Sequence, residues 1–358
     1  MILDAIAEMF KKLTEASGVP GYEGDVRNVI REYLKDITTI ETDKIGSIVC
    51  RKDGACERPK IMLAGHMDEI GFMVKYITDE GFIKFSALGG WWSHVLLAQK
   101  VVVKSRKGDV VGVIGSKPPH ILTSEERDKM VKTKDMYIDV GATKGDEVKE
   151  MGIQVGDAII PVAPFEVMNN GKTFMGKAFD DRTGCAMFIG AIQQLAKEEH
   201  PNTVYGVGTV QEEVGLRGAR TSSWLVEPDV GFALEVGIAG DVPGVEKDQA
   251  QEKLGAGPVI LFRDGSMIPN LKLRDFVVDT AKEMEIPIQF DLLEGGGTDA
   301  GAIHLHKLGV PGLVLSVPTR HIHSHIGIMH REDYENSVKL LVGVIKRLDV
   351  NTVAQLTE

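Results

Sequence analysis

Hydrophobic positions along this chain repeat with two different periods, and the change of period divides it. Residues 1–16 carry Asp4, Glu8, Lys11, Lys12 and Glu15 among apolar positions and predict an amphipathic helix. Ser17-Gly18-Val19-Pro20-Gly21 breaks it. A second amphipathic helix is predicted over Asp25 to Leu34, with Val26, Val29, Ile30, Tyr33 and Leu34 on one face. Strand-like runs follow near Ile40 to Glu41, at Ser47 to Cys50 and at Lys60 to Gly65. From about residue 70 to 165 the runs become short, rich in Val and Ile, and separated by Gly or charged turns. Phe72 to Ile77, Phe82 to Phe85, Val101 to Lys104, Val110 to Ile114 and Ala158 to Val162 read as closely spaced strands. Thr123 to Lys134 is densely charged and reads as an exposed loop or frayed helix.

After Pro164 strands and helices alternate. Helices are predicted at Thr183 to Lys197, Leu273 to Met284, Ala300 to Leu308 and Asp333 to Leu348. Strands are predicted at Val204 to Val210, Val230 to Glu235, Val259 to Phe262, Ile288 to Leu292 and Gly312 to Ser316. This alternation implies an α/β fold, a three-layer α/β/α sandwich with a largely parallel sheet. The simplest organisation is one discontinuous domain, 1–69 and 166–358, with a small β-barrel-like domain, 70–165, inserted into it. No internal repeat is evident.

Composition narrows the classes. The 358 residues hold 41 Lys+Arg against 52 Asp+Glu, a net charge of −11, so no electrostatic footprint for nucleic acid is expected. Three cysteines, Cys50, Cys56 and Cys185, build no disulfide framework, and their odd number fits a reducing compartment. No run approaches 18 uninterrupted apolar residues, so no membrane span is expected, and the charged first helix lacks the features of a secretory or transit signal. A cytoplasmic location follows as an expectation. The 40 glycines, about 11% against an average of about 7%, imply many tight turns or close backbone approaches.

In open α/β sheets, ligands bind beyond the carboxyl ends of the strands. His66 and Asp68 follow the Ile61 to Gly65 run, and Gln211-Glu212-Glu213 follows Val204 to Val210. Glu235 ends a third run, and His321-Ile322-His323-Ser324-His325 follows a fourth. Asp180-Asp181 precedes a helix. Singly, each is a satisfied histidine, a helix cap or a solvated turn; five segments converging on one sheet edge are a candidate site. The residue types suit two divalent metals, for which His nitrogen and carboxylate oxygen are ligands. A bridging carboxylate would screen two ions roughly 3.5–4 Å apart. Glu212 and Glu213 can divide the labour, one binding metal and the other moving a proton. Asp68 can orient His66 through its second ring nitrogen. The loop Glu294-Gly295-Gly296-Gly297-Thr298-Asp299, between a strand and a helix, either caps that helix or brings backbone close to a substrate; it lacks the spacing of a phosphate loop. Trp91-Trp92 reads as packing or an association surface of the inserted module. The cysteines read as core thiols, and no G-x-S-x-G elbow is present.

Ala64-Gly65-His66-Met67-Asp68-Glu69-Ile70-Gly71, Phe179-Asp180-Asp181-Arg182, Gln211-Glu212-Glu213-Val214-Gly215, Gly295-Gly296-Gly297-Thr298-Asp299-Ala300 and Arg320-His321-Ile322-His323-Ser324 together resemble the M42 metallo-aminopeptidases. That family includes glutamyl aminopeptidases, tetrahedral aminopeptidases of archaea and proteins labelled as CelM-type endoglucanases. The resemblance implies that His66, Asp180 and Glu235 hold one zinc or cobalt ion. Asp180 would bridge to a second ion held by Glu213 and His323. Glu212 would be the general base, Asp68 its supporting carboxylate, and Gly296, Gly297, Thr298 and Asp299 the substrate loop. It further implies peptide substrates, and a homo-oligomer in which the inserted module pairs protomers and dimers assemble into dodecamers. Some members have Asp in place of Glu235, or Asn in place of Asp181. Two alternatives stand beside peptide hydrolysis. One is glycoside hydrolysis with Glu212 and Glu213 as the acid pair, although neighbours on one segment rarely face each other across a sugar bond. The other is a non-enzymatic, metal-stabilised assembly, against which the spare acids Glu212 and Asp68 speak.

Overall fold

The unbroken apolar runs belong to strands covered on both faces. In the computed structural model, which describes residues 3–357, Thr203–Thr209, Lys60–His66, Val230–Ile238 and Gly312–Arg320 lie side by side and parallel. Strands of this kind lose the polar-out alternation because both pleat faces are buried. Ile61 and Leu63 pack into the core beneath the helices Ala5–Glu15, Gly24–Leu34, Phe179–Leu195 and Arg331–Ile345. Their neighbours Met62 and Ala64 point the other way, into a second core with Ala219, Val226 and Ile303 of the helices Arg217–Val226 and Asp299–Ile303. That is the three-layer α/β/α sandwich.

Antiparallel strands extend the sheet to eleven. Ile48–Lys52 and Thr39–Thr42 flank one side; Gly327–His330, Thr173–Gly176 and Glu166–Val167 flank the other. Val259–Leu261 adds to Gly312–Arg320 and carries Gln289–Asp291. Residues 71–161 contain a second sheet, a closed antiparallel barrel of Gly71–Ile77, Phe82–Leu88, Tyr137–Asp139, Gly108–Gly115, Lys100–Ser105 and Ala158–Pro161. Closure leaves it no free edge. It has its own core, including Phe72, Val74, Ile83, Val103, Ile138 and Ile159. Trp91 stacks on Phe72 at 4.8 Å and donates to the Gly71 carbonyl at 3.0 Å, whereas Trp92 is exposed.

Several elements differ from the periodicity. The first helix runs Ala5–Glu15, capped by Asp4, which accepts from the Ile6 and Ala7 amides; Met1 and Ile2, part of its predicted span, lie outside the described residues. The helix predicted at Thr183 belongs to an element that spans Phe179–Leu195, but Asp180 and Asp181 take non-helical backbone angles and kink its start, so regular helix begins only after them, close to the predicted position. The helix predicted over Ala300 to Leu308 is only Asp299–Ile303, since Lys307 and Gly309 have φ of +51° and +105°. Within Thr123 to Lys134 a capping box between Thr123 and Glu126 forms one short helix, Ser124–Arg127, and the segment is largely exposed. Cys50 and Cys185 are buried as expected, but Cys56 is exposed; all three are free. Among the described residues no helix is long and apolar enough to cross a membrane.

Candidate metal centre and active site

Parallel register brings the site together. His66 ends its strand opposite Thr209, and the neighbouring chain runs on into Gln211-Glu212-Glu213. On the other side Ala64 pairs with Ala233, so Glu235 lies level with His66 one side-chain repeat further on. The turn after Gly312–Arg320 delivers His323, and the Phe179–Leu195 helix delivers Asp180 from its first turn. That helix approaches the sheet so closely that a Cβ on Gly65 would sit 2.5 Å from the Gly184 carbonyl carbon, which accounts for the glycine.

Asp180 stands between two histidines. Its Oδ1 is 3.0 Å from His66 Nε2 and its Oδ2 is 3.3 Å from His323 Nε2. Glu212 and Glu235 each bring an oxygen to 3.9 Å from His66 Nε2, and Glu213 brings one to 3.8 Å from His323 Nε2. His66, Asp180 and Glu213 form one cluster close enough to share a cation; His66, Asp181 and Glu235 form another. Both outer ring nitrogens are committed to carbonyls: His66 Nδ1 to Asp68 at 2.8 Å, His323 Nδ1 to Gly90 at 2.7 Å. This fixes each ring with Nε2 turned toward Asp180.

The expectation that the Asp68 carboxylate orients His66 is corrected. That carboxylate lies 3.8 Å from Nδ1, which bonds instead to the Asp68 backbone oxygen. The side chain accepts from the amides of Glu212 at 2.9 Å and Glu213 at 3.1 Å, so it holds the turn that presents both glutamates. The reason is reach. A side chain two residues beyond His66 leaves the strand for the neighbouring loop, while its own carbonyl remains beside the ring.

Carboxylates crowd into a buried space with few cations. Burial, then the charges of His66, Asp299, Glu213 and Asp68 acting in both directions, leave the Glu212 carboxyl well above its ordinary range. Glu235 is raised likewise, by burial and then by Asp181. Glu213 is pushed up to about 7 by burial and Asp180. Asp180 goes the other way: burial works against its charge, but its hydrogen bonds to His323 and His66 prevail. His323 is drawn up to about 10, chiefly by that hydrogen bond. One Glu213 oxygen, Oε1, is buried without a hydrogen-bond partner. A buried carboxylate oxygen without a donor is costly, and a cation beside it would remove that cost.

A cavity of about 510 Å³ opens on this cluster, lined by His66, Asp180, Glu212, Glu213, Glu235 and His323 together with Leu293 to Thr298. Gly296, Gly297 and Thr298 of the predicted substrate loop therefore face it. Asp299 does not line it; it is buried, accepting from the Thr209 hydroxyl. His321 and His325 line a small adjoining pocket with Lys177 and Glu69, which shares Asp180, Ile322 and His323 with the cavity. Three supporting residues, Glu23, Asp264 and Gly90, escaped the sequence reading, and Asp181 was named there without this role. Asp181 accepts from the His66 amide at 2.9 Å, Glu23 accepts from the Gln211 amide at 3.1 Å, Asp264 holds Thr298 at 3.0 Å, and the Gly90 carbonyl comes from the barrel. Of these only Asp181 had a signal, its place beside Asp180. Gln211, His321 and His323 have φ of +56°, +62° and +55°, conformations that non-glycine residues keep where tertiary contacts impose them.

A parallel α/β/α sandwich whose strand ends carry two histidines and several carboxylates around a central aspartate defines the metal-dependent hydrolases. The sequence profile of the M42 glutamyl aminopeptidase family matches residues 46–340. The lysyl aminopeptidase of Pyrococcus furiosus is 36% identical over 95% of this chain and 97% of its own. The TET aminopeptidase of a marine-sediment Thaumarchaeota archaeon is 50% identical, with a TM-score of 0.97 over 98% of each chain. The TET1 peptidase of Pyrococcus horikoshii, which can assemble into a tetrahedron or a large octahedral shell, is 34% identical, with a TM-score of 0.85 over 96% of this chain and all of its own. The chain belongs to the M42 family and is a metallo-aminopeptidase.

Proposed function

We propose that this chain binds two divalent cations, zinc or cobalt, and uses them to release the N-terminal residue of peptides, with Glu212 as general base. The observation that carries the reading is Asp180, whose two oxygens each face a different histidine Nε2. His66, Asp180 and Glu235 would hold one ion; Asp180, Glu213 and His323 would hold the other. The unpartnered Glu213 oxygen and the raised carboxyls fit that occupancy. Bound there, the ions would supply Lewis-acid polarisation of the scissile carbonyl and acidify a water.

The chain's own residues do the rest. Glu212, with an oxygen 3.9 Å from His66 Nε2 and its backbone fixed by Asp68, takes a proton at its carboxylate and returns it to the departing amine. The carboxylates around the cluster can bind a free α-ammonium, which confines cleavage to the chain end. Gly296, Gly297 and Thr298 lie against the substrate, and Asp299 anchors their loop on Thr209.

Residues 1–69 and 166–358 form the catalytic domain in this reading, and 70–165 the module through which protomers pair on the way to a dodecamer. Exposed Trp92, Val111, Ile121 and Met130 on that module support an association role. Free cysteines suit the cytoplasm.

The test is Glu212→Gln with bound cations counted. Activity on peptides should fall by about 10²–10⁴-fold while the cations stay. Near wild-type turnover with both cations bound would remove Glu212 from the role.

A further inference from the structure

The cavity beside the cluster has a polarity of its own. Beyond the proposed metal-binding side chains, its wall is apolar: Val236 and Ile238 from the strand that carries Glu235, Leu293 from the loop, and Ile322 between the two histidine turns. Two further carboxylates line it, and they differ. Asp264 is buried, its Oδ1 accepting from the Ser266 amide and hydroxyl and the Met267 amide and its Oδ2 from the Thr298 hydroxyl at 2.6–3.0 Å, so it is tied into the loops and offers a ligand little surface. Glu294 is exposed and is in no ion pair among the described residues. No lysine or arginine is among the described residues of the lining. Gly295 and Gly296 bring no side chain, and a Cβ at either would meet open space, so the wall beside Glu294 is left clear.

From this we infer that the cavity receives the N-terminal side chain of the substrate, takes aliphatic and lysine-like residues, and rejects acidic ones, with Glu294 as the specificity-determining residue. The inference rests on the aminopeptidase reading above. An aliphatic side chain gains by burial against Val236, Ile238, Leu293 and Ile322. A lysine lays its methylene stem on the same wall and carries its ammonium to the exposed Glu294 carboxylate, keeping its head near water. Away from the metal cluster, an aspartate or glutamate finds no lysine or arginine in the wall and meets Glu294, so its own charge is left unpaired; rejection comes from the repulsive element as much as from the absent partner.

The experiment compares kcat/KM for leucyl-, lysyl- and glutamyl-4-nitroanilide on the full, cation-loaded chain and on Glu294→Gln and Glu294→Arg. For the unaltered chain, leucyl and lysyl substrates should each exceed glutamyl by at least about tenfold. Glu294→Gln should lower the lysyl-to-leucyl ratio by about two- to fivefold, the size of an exposed ion pair. Glu294→Arg should lower it further and raise the glutamyl-to-leucyl ratio. Ratios within one variant do not depend on how much of it is folded. Glutamyl preference in the unaltered chain, or ratios unmoved by both variants, would overturn the inference and leave the aminopeptidase reading standing. A cation-loaded chain inert on all three substrates would overturn both.

Discussion

The two histidines that flank Asp180 are held in opposite ways. His66 is 2% exposed at the end of a central parallel strand, and its supports, Asp68 and Asp181, come from the strand exit and from the helix packed beneath it. His323 is 42% exposed, sits in a turn at φ +55°, and is tied at Nδ1 to a carbonyl of the barrel. The barrel also closes on its neighbour, since a Cβ on Gly89 would lie 2.8 Å from Glu213 Oε2. One half of the cluster is therefore built by the sandwich alone. The other is completed across the junction between the sandwich and the barrel. Rigidity should follow the same division: the His66 half is fixed by sheet register, the His323 half by a single loop contact.

The largest effect should come from the residue common to both halves. Asp180→Ala removes an oxygen from each histidine at once, and loss of activity on peptides should equal or exceed the about 10²–10⁴-fold cost of losing a proton-transfer group; if one tightly bound cation and substantial turnover survive, the halves are independent. Asp68→Asn comes next. It replaces one of the two oxygens that hold the Glu212 and Glu213 amides with an amide group, and should cost about 10–100-fold in activity. Gly90→Ala should cost less, about tenfold, and only in the His323 half. Its Cβ would lie 3.0 Å from His323 Nδ1, so a cation titration should show one site weakened and the other unchanged. Equal weakening of both would erase the asymmetry.

The smallest expected effect is on stability alone, in the support of the His66 half. Glu252 packs against Gly237, two residues beyond Glu235, and is pushed up to about 9 by burial and by Asp291. The unfolded chain would lose this proton near the ordinary value of 4.5, the folded chain only near 9. Between those limits the folded state binds more protons, so stability falls as pH rises. Glu252→Gln removes that dependence. It should be near neutral at pH 4 and stabilise by about 1–3 kcal/mol at pH 8, read as a rise in Tm between the two. A Tm difference that does not grow with pH would show Glu252 to be charged in the fold.

Much of this was legible from residue pattern. Continuous apolar runs announced strands buried on both faces, alternation of strands with helices announced the sandwich, and the polar residues at strand exits announced His66, Glu212, Glu213, Glu235 and His323. These rest on local rules, the period of side-chain exposure and the tendency of sheets to bind at their carboxyl edge. What remained hidden depends on partners far apart along the chain. No local signal tells that the Asp68 side chain supports the 212–213 turn rather than His66, that Gly90 reaches His323 across 233 residues, or that Asp264 is buried and bonded to Thr298 while Glu294 is exposed. The edge strand Glu166–Val167 and its inner neighbour Thr173–Gly176 were invisible because strands of two and four residues are too short to show a period. Sequence alone determined which chemistry this chain carries and which sheet edge displays it. Only the tertiary structure decided which backbone groups aim those side chains, because a hydrogen bond between distant segments is fixed by register and packing.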